Sequence, residues 1–395
     1  MSEERQTTPE DSAEVDSRSA EKPRASLTKR LLKLLLYLVY LLVLAEIGSR
    51  AYWAIRHRDR GMPFFAGQRD WIDLFYNDFE DSGVWDADLR KDDGHFDVLF
   101  LGGSALDRVH LSVAKNSSAL QSALAEIAGR PVRVFNMANP GMSSRDSLTK
   151  YKLLAEADKR FDLIVVYHAI NDARMNCCPR TVFRNDYTHC KFNKQYDRMR
   201  AYGKLLRFLT FPYSIEYAAI NILASKTLRF GIYLPRHRCP DIWIDEGTDI
   251  KTAEPFRANL QGIVDLARSR SEPVLIMTQC WYIPGDYSQE KLKSGKLDYA
   301  ASLRPSAVEL WGSVRSVSLG VTKHNEIIRD LARRNGDVLF VDADAMVPKE
   351  GRFFNDVCHL SEEGKLRLME SFLPKLRERL APRSSTPAGQ GEPAR

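Results

Sequence analysis

Four stretches of this chain carry residue types that do chemistry in combination. The first is Gly102-Gly103-Ser104-Ala105-Leu106, which follows the apolar run Phe96-Asp97-Val98-Leu99-Phe100-Leu101. A serine on a tight turn between a buried strand and a helix is exposed beside free backbone N–H groups. A nucleophile needs that position, because preorganised donors must meet the oxyanion of a tetrahedral intermediate. Taken alone, the segment reads more often as a Gly-Ser turn that caps a helix. The second stretch is Phe353-Phe354-Asn355-Asp356-Val357-Cys358-His359-Leu360-Ser361. An Asp three residues before a His can orient the imidazole with its carboxylate and leave the other ring nitrogen for a nucleophile. Alone, it is also a surface loop with a helix cap at Ser361. Between these lie Gly141, in Asn139-Pro140-Gly141-Met142-Ser143, and Asn171, in His168-Ala169-Ile170-Asn171-Asp172. A glycine N–H and an asparagine amide are neutral donors suited to an oxyanion hole.

Other nucleotide and hydrolase motifs are excluded. The elbow of α/β-hydrolases requires Gly-x-Ser-x-Gly, and its last position is Leu106 here. Neither the further glycines of a dinucleotide fingerprint nor the Gly-Lys-Ser/Thr of a phosphate loop follows Gly103.

The elements that must position these residues alternate in type. Strands are expected at Phe96–Leu101, Val132–Met137, Asp162–Tyr167, Pro273–Thr278 and Val338–Asp342, each apolar throughout and bounded by turn residues. Helical periodicity falls at about Val113–Ile127, after Ser143 or Ser144, at Phe256–Ser269, near Lys323–Arg334 and at about Ser361–Leu380. Apolar strands alternating with helices imply a three-layer α/β/α fold with a five-stranded, mainly parallel, flavodoxin-like sheet. Ligands in that fold bind at the carboxyl ends of the strands, where every motif above lies. Residues 176–251 interrupt the alternation and read as an insertion, with helical stretches near Met199–Leu209 and Ile215–Leu228.

Near the N-terminus, Leu31–Trp53 reads LLKLLLYLVYLLVLAEIGSRAYW. Leu34–Ala45 is uncharged, shorter than the about 20 residues that span a bilayer, so Lys33 and Glu46 must lie near the interfaces. Glu46 and Arg50 share a helix face and can neutralise each other. The stretch has no polar face, as a soluble helix would, and Ala45–Ser49 makes a poor cleavage site. An uncleaved membrane anchor through residues 31–53 is the better reading. Lys29, Arg30 and Lys33 before it nearly balance Arg50, Arg56, Arg58 and Arg60 after it, so charge does not set its orientation.

The domain plan is therefore a disordered tail (1–27), a transmembrane helix (28–55), a juxtamembrane linker (56–93), a catalytic domain (94–382) with its insertion, and a second disordered tail (383–395). The net charge of +6 over 395 residues gathers in no single stripe and does not indicate nucleic-acid binding. None of the six cysteines forms a CxxC pair. Cys177, Cys178, Cys190 and Cys239 fall in one irregular stretch, which fits disulfides in an oxidising compartment as well as it fits free thiols. His189 and His237 lie near them, but the spacing matches no common metal site.

The order Ser, Gly, Asn, Asp-x-x-His, each at a predicted strand end or before the last helix, resembles the SGNH/GDSL hydrolases over about Phe96–Leu380. The resemblance implies a serine esterase without cofactor or metal. Ser104 would be the nucleophile, His359 the base and Asp356 its orienter. The oxyanion hole would be formed by Ser104, Gly141 and Asn171. Two positions depart from the family pattern. Gly103 replaces the Asp of Gly-Asp-Ser, and Ala169 replaces the Gly of Gly-x-Asn-Asp, adding a methyl to the site.

His168 can touch substrate or serve as a hydrogen-bonded wall. Trp281 and Tyr282, after the fourth strand, can form a sugar-stacking platform or pack under the insertion. Lys323-His324-Asn325 reads as a helix face without a catalytic part. Three functions fit: an esterase deacylating a small molecule, a cell-envelope glycan or a lipid; an O-acyltransferase using the same triad; and a non-catalytic glycan-binding scaffold. The first leads, because the full set of reactive residues is intact. An extracytoplasmic catalytic domain is expected from the cysteines and the family resemblance.

Overall fold

A computed structural model describes residues 27–90, 93–107, 118–226, 241–300 and 305–380. Five parallel strands form one sheet: β1 (Phe96–Gly102), β2 (Val132–Asn136), β3 (Leu163–Tyr167), β4 (Val274–Met277) and β5 (Leu339–Val341). Their order is β2-β1-β3-β4-β5. This is the doubly wound, flavodoxin-like order expected from the sequence. Its direction of winding reverses between β1 and β3, and the crevice at their carboxyl ends is where such folds bind ligands.

The α-helices of eight residues or more among the described residues are α1 (Leu27–Arg56), α2 (Gln68–Phe75), α3 (Ser118–Ala128), α4 (Ser144–Glu156), α5 (Lys191–Ala201), α6 (Phe211–Lys226), α7 (Ala253–Ser269), α8 (Val314–Arg334) and α9 (Glu362–Leu380). Alternate strand residues face opposite layers. Leu99, Leu101, Ile164, Val166 and Ile276 pack against Tyr151 and Leu154 of α4, Phe256 and Leu260 of α7 and Ile328 of α8. Val98, Phe100, Leu163, Val165 and Leu275 pack against Leu124 of α3 and Leu368 and Phe372 of α9. Both faces are covered, which is why the strands are apolar throughout. The exceptions are Arg133 and Asn136 in the edge strand β2 and Asp97 in β1, which is buried and held by Arg133 at 2.6 and 2.7 Å.

Several sequence expectations change. Within the stretch 56–93, expected as a linker, Trp71, Ile72, Phe75, Tyr76 and Phe79 are buried in the core of the folded domain. The stretch is charged between those aromatics, which hid their role. The insertion helices begin earlier than expected, at Lys191 and Phe211. Helix α5 is mostly polar, and only Phe192, Tyr196 and Met199 mark its packed face, against Phe75 and Tyr76. Helix α8 begins at Val314 rather than near Lys323, because Ser313 caps it by accepting the Ser316 N–H at 3.2 Å.

Of the two readings left open for the cysteines, the structure shows no disulfide among the described residues. Cys177, Cys178, Cys190, Cys280 and Cys358 are all buried, and no disulfide joins any two of them. Cys239 and His237 lie outside the described residues, as do both expected disordered tails apart from Leu27.

Helix α1 is long and apolar enough to cross a membrane, with mean hydropathy 2.1 in its most apolar window. Its side chains from Leu31 to Leu44 are exposed, whereas Ser49, Arg50 and Trp53 are buried in the domain.

Candidate active site

Strand β1 ends at Gly102, and Ser104 opens a single helical turn, Ser104–Asp107. The first N–H groups of a helix have no partner within it, so the chain presents Ser104 with donors beside it. The serine Oγ lies 2.8 Å from His359 Nε2. The other ring nitrogen, Nδ1, lies 2.9 and 2.8 Å from the two Asp356 oxygens. Asp356 is itself held in place. Its Oδ1 accepts the N–H groups of Cys358 (3.1 Å) and His359 (2.9 Å), and its Oδ2 accepts that of Ser306 (2.8 Å). The short loop before α9 therefore wraps around one carboxylate, and the imidazole is aimed from it at Ser104.

Burial opposes ionisation of Asp356. The His359 imidazole and the N–H groups of Ser306 and Cys358 outweigh it and hold the carboxyl below its usual range. Burial likewise disfavours the imidazolium, but Cys358 and Asp356 outweigh it, and the His359 pKa is raised above 6.5. Burial pushes the Cys358 thiol up, so that group is neutral near pH 7 and Asp356 is the charge that supports the imidazolium. Asp356, Cys358 and His359 bring ligand atoms within 4.8 Å of one another. The atoms a metal would use on Asp356 and His359 are already committed to each other and to backbone donors.

Asn171 follows β3 in the turn Ile170–Arg174. Its Oδ1 accepts the indole N–H of Trp311 at 3.0 Å, and its Nδ2 donates to Met142 O at 2.8 Å. With the oxygen occupied by Trp311, the amide nitrogen must point to the side of Gly103 and Met142. It comes so close that a Cβ on Gly103 would stand 2.3 Å from Asn171 Nδ2. The departure from Gly-Asp-Ser therefore has a reason here, since the amide occupies the space a side chain would take. Gly141 has φ +78°, a left-handed conformation that glycine adopts without a Cβ penalty. Its N–H has no partner among the described residues. Ser104, Gly141, Asn171, Trp311 and His359 all line one open cleft of about 860 Å³.

A second layer holds the Asn171 turn. Buried Asp172 accepts from Ser144 N (2.9 Å), Ser144 Oγ (2.6 Å) and Tyr187 OH (2.9 Å). Burial pushes its pKa up to about 7 against those bonds. His324 is buried, with Nδ1 2.9 Å from Ala169 O and Nε2 2.9 Å from Thr252 Oγ1. Burial lowers its pKa to about 4, so at neutral pH one ring nitrogen donates and the other accepts. Asn325 accepts from Gln279 N at 2.9 Å, and Gln279 Oε1 accepts from Ile170 N at 2.8 Å. His324 thus meets the start of the turn directly and Asn325 supports it through Gln279, and neither lines the cleft. Ala169 is accommodated: it is buried in a cluster with Val317 and Val321.

Three residues considered for substrate contact, His168, Trp281 and Tyr282, are not among those that line the cleft. His168 is buried and bonded through Nε2 to Ser147 Oγ at 2.7 Å, and burial, with Lys150 nearby, lowers its pKa to about 3. Trp281 lies beneath Lys349, whose Nζ is 5.1 Å from the ring centroid. Tyr282 donates to Asp298 at 2.8 Å and packs on Tyr299 and Phe354. All three stand outside the cleft. Side chains at the end of a strand alternate between faces, so nearness in sequence to the edge did not decide direction. The cleft is walled instead by Arg60, Leu74 and Phe75 from the supposed linker, by Cys190 and Phe192 from the insertion, and by Trp311. No sequence signal marked Trp311, which precedes α8 and reaches the site only through folding.

No protein-family model and no curated protein sequence matches the chain. Among solved structures it is similar to a GDSL-like lipase from Bacteroides thetaiotaomicron, at 11% identity and TM-score 0.40, over 77% of this chain and 98% of that one. It is also similar to a catalytic mutant of Axe2, an acetylxylan esterase from Geobacillus stearothermophilus, at 14% identity and TM-score 0.36, over 71% of this chain and 94% of that one.

Proposed function

We propose that this chain is a membrane-anchored serine ester hydrolase of the SGNH type. The observation that carries the reading is the continuous line from Asp356 through both nitrogens of His359 to Ser104 Oγ, with 2.8 Å at the last step. His359 Nε2 takes the Ser104 proton as Oγ attacks the acyl carbonyl carbon. The carbonyl oxygen becomes an oxyanion, met by the N–H groups of Ser104, Gly141 and the Asn171 amide. The intermediate collapses, the bond to the leaving alkoxide breaks, and the imidazolium returns its proton to that oxygen. Water, deprotonated by His359, then attacks the acyl-Ser104 ester, and the acid leaves with Ser104 restored.

Helix α1 serves as the anchor. Its exposed apolar stretch supports this, and so does the burial of its last turns, since cleavage near Ala45–Ser49 would cut into residues the domain packs around. An open cleft behind such an anchor suits an acylated glycan or lipid at a membrane surface.

Ser104→Ala in the full-length protein should abolish hydrolysis of p-nitrophenyl acetate and labelling by a fluorophosphonate, with an unchanged circular dichroism spectrum. A variant as active as the wild type overturns the assignment.

A further inference from the structure

Helix α1 does not end where its apolar stretch ends. Glu46, the next acidic residue, turns into the domain and caps α6. Its carboxylate accepts the N–H of Thr210 at 2.8 Å and of Phe211 at 3.0 Å, and pairs with Arg50 at 2.7 Å. Further along, Ser49 bonds Thr210 Oγ1 at 2.8 Å and also Ser214 Oγ, while Trp53 Nε1 donates to Ser214 Oγ at 2.8 Å and its ring stacks on Tyr213. The partners advance in the same direction on both helices, from 46 with 210 to 53 with 213 and 214. Helix α6 therefore runs alongside α1, away from the apolar stretch, and the two form one stalk.

Arg50, one turn above Glu46, gathers two loops around the stalk. It donates to the carbonyls of Phe64 (3.4 Å) and Phe208 (3.2 Å), and its guanidinium stands 5.3 Å from the ring centroid of Phe65. Phe64, Phe65 and Phe208 are thereby fixed around α1 at the level where it enters the domain. Their side chains are not core: Phe65 is 79% exposed, Phe208 75%, Phe64 38% and the neighbouring Leu205 40%. Single exposed apolar residues are ordinary. A ring of aromatic side chains continuous with a membrane-length helix is a different feature, because aromatic residues favour the headgroup level of a bilayer. Exposed Lys204 and Arg207 flank Leu205, as suits a surface of anionic lipid.

Resting on the reading of α1 as a membrane anchor, we propose that Phe64, Phe65, Leu205 and Phe208 form a collar that inserts into the interface of the bilayer, so that the domain is seated on the membrane and not tethered above it. The collar also places the site. Arg50 and Arg56 are separated along the helix by about 9 Å, and Arg60, which walls the cleft, follows one turn later and donates to Leu74 O at 2.9 Å. The cleft wall then begins four residues past the end of α1, which suits an acyl group carried on a lipid headgroup.

The test uses the full chain in nanodiscs of phosphatidylethanolamine and phosphatidylglycerol, with a nitroxide spin label at one introduced cysteine. The native cysteines among the described residues are buried. Labels at Phe65→Cys and Phe208→Cys should be more accessible to oxygen than to a water-soluble nickel chelate. A label at Arg367→Cys, exposed on α9 over the opposite face of the sheet, should show the reverse. If 65 and 208 behave like 367 while a label at Leu38→Cys is lipid-exposed, the collar is wrong and the anchor stands. If Leu38 is also in water, the anchor reading fails and takes the collar with it.

Discussion

Gly103→Ala adds one methyl group, and the structure says where it goes. The new Cβ would stand 2.3 Å from Asn171 Nδ2 and 3.3 Å from Met142 O. Non-bonded heavy atoms settle at about 3.5 Å or more, so the amide or the turn must yield by about 1 Å. The amide has little room to do so, because Met142 O holds its nitrogen at 2.8 Å and Trp311 holds its oxygen at 3.0 Å. Relief therefore comes by moving a proposed oxyanion donor off its mark. Losing one such donor costs about 2.7–4 kcal/mol of barrier, or roughly 10²–10³ in kcat. We expect Gly103→Ala to lower kcat for p-nitrophenyl acetate by about 10²-fold or more, with KM little changed, since the donor acts on the transition state. Asn171→Ala should show a similar loss. The double variant should be no slower than the worse single one, because both changes remove the same donor. The reasoning is refuted if Gly103→Ala keeps more than half of the wild-type kcat, or if the two losses multiply in the double variant.

Trp311→Phe keeps an aromatic ring but removes the N–H that orients Asn171. A neutral hydrogen bond is worth about 0.5–1.5 kcal/mol, so kcat should fall about 2–10-fold with KM unchanged; an unaltered kcat would mean Met142 alone orients the amide. The raised His359 pKa sets the pH dependence. The base form exists only above that pKa, so kcat/KM should climb with pH through a midpoint above 6.5. Asp356→Asn removes the supporting charge, which should move the limb to lower pH and cut the rate by about 10⁴-fold, the scale seen when a triad carboxylate is neutralised. The same raised pKa contributes stability that is fully present below pH 6.5 and fades as pH rises through the folded value, which thermal melts against pH would detect.

The sequence by itself determined the sheet and the reactive set. Five apolar runs separated by helical periodicity leave little choice but a parallel sheet covered on both faces, and the strand ends carry Ser104, Gly141 and Asn171 in order. Those signals are local: a run of apolar residues, a glycine that permits φ +78°, an Asp three residues from a His. Direction and partnership are not local. Whether His168 faced the cleft or Ser147 depended on which side of β3's end it fell. Whether residues 56–93 were a linker depended on aromatic side chains finding α5 and α1 across the fold. Trp311 meets Asn171 across 140 residues, and Arg50 meets Phe208 across 158. A hydrogen bond between distant segments leaves no periodicity in either of them. Only the packed structure could therefore show what orients the amide and what gathers around α1 where it meets the domain.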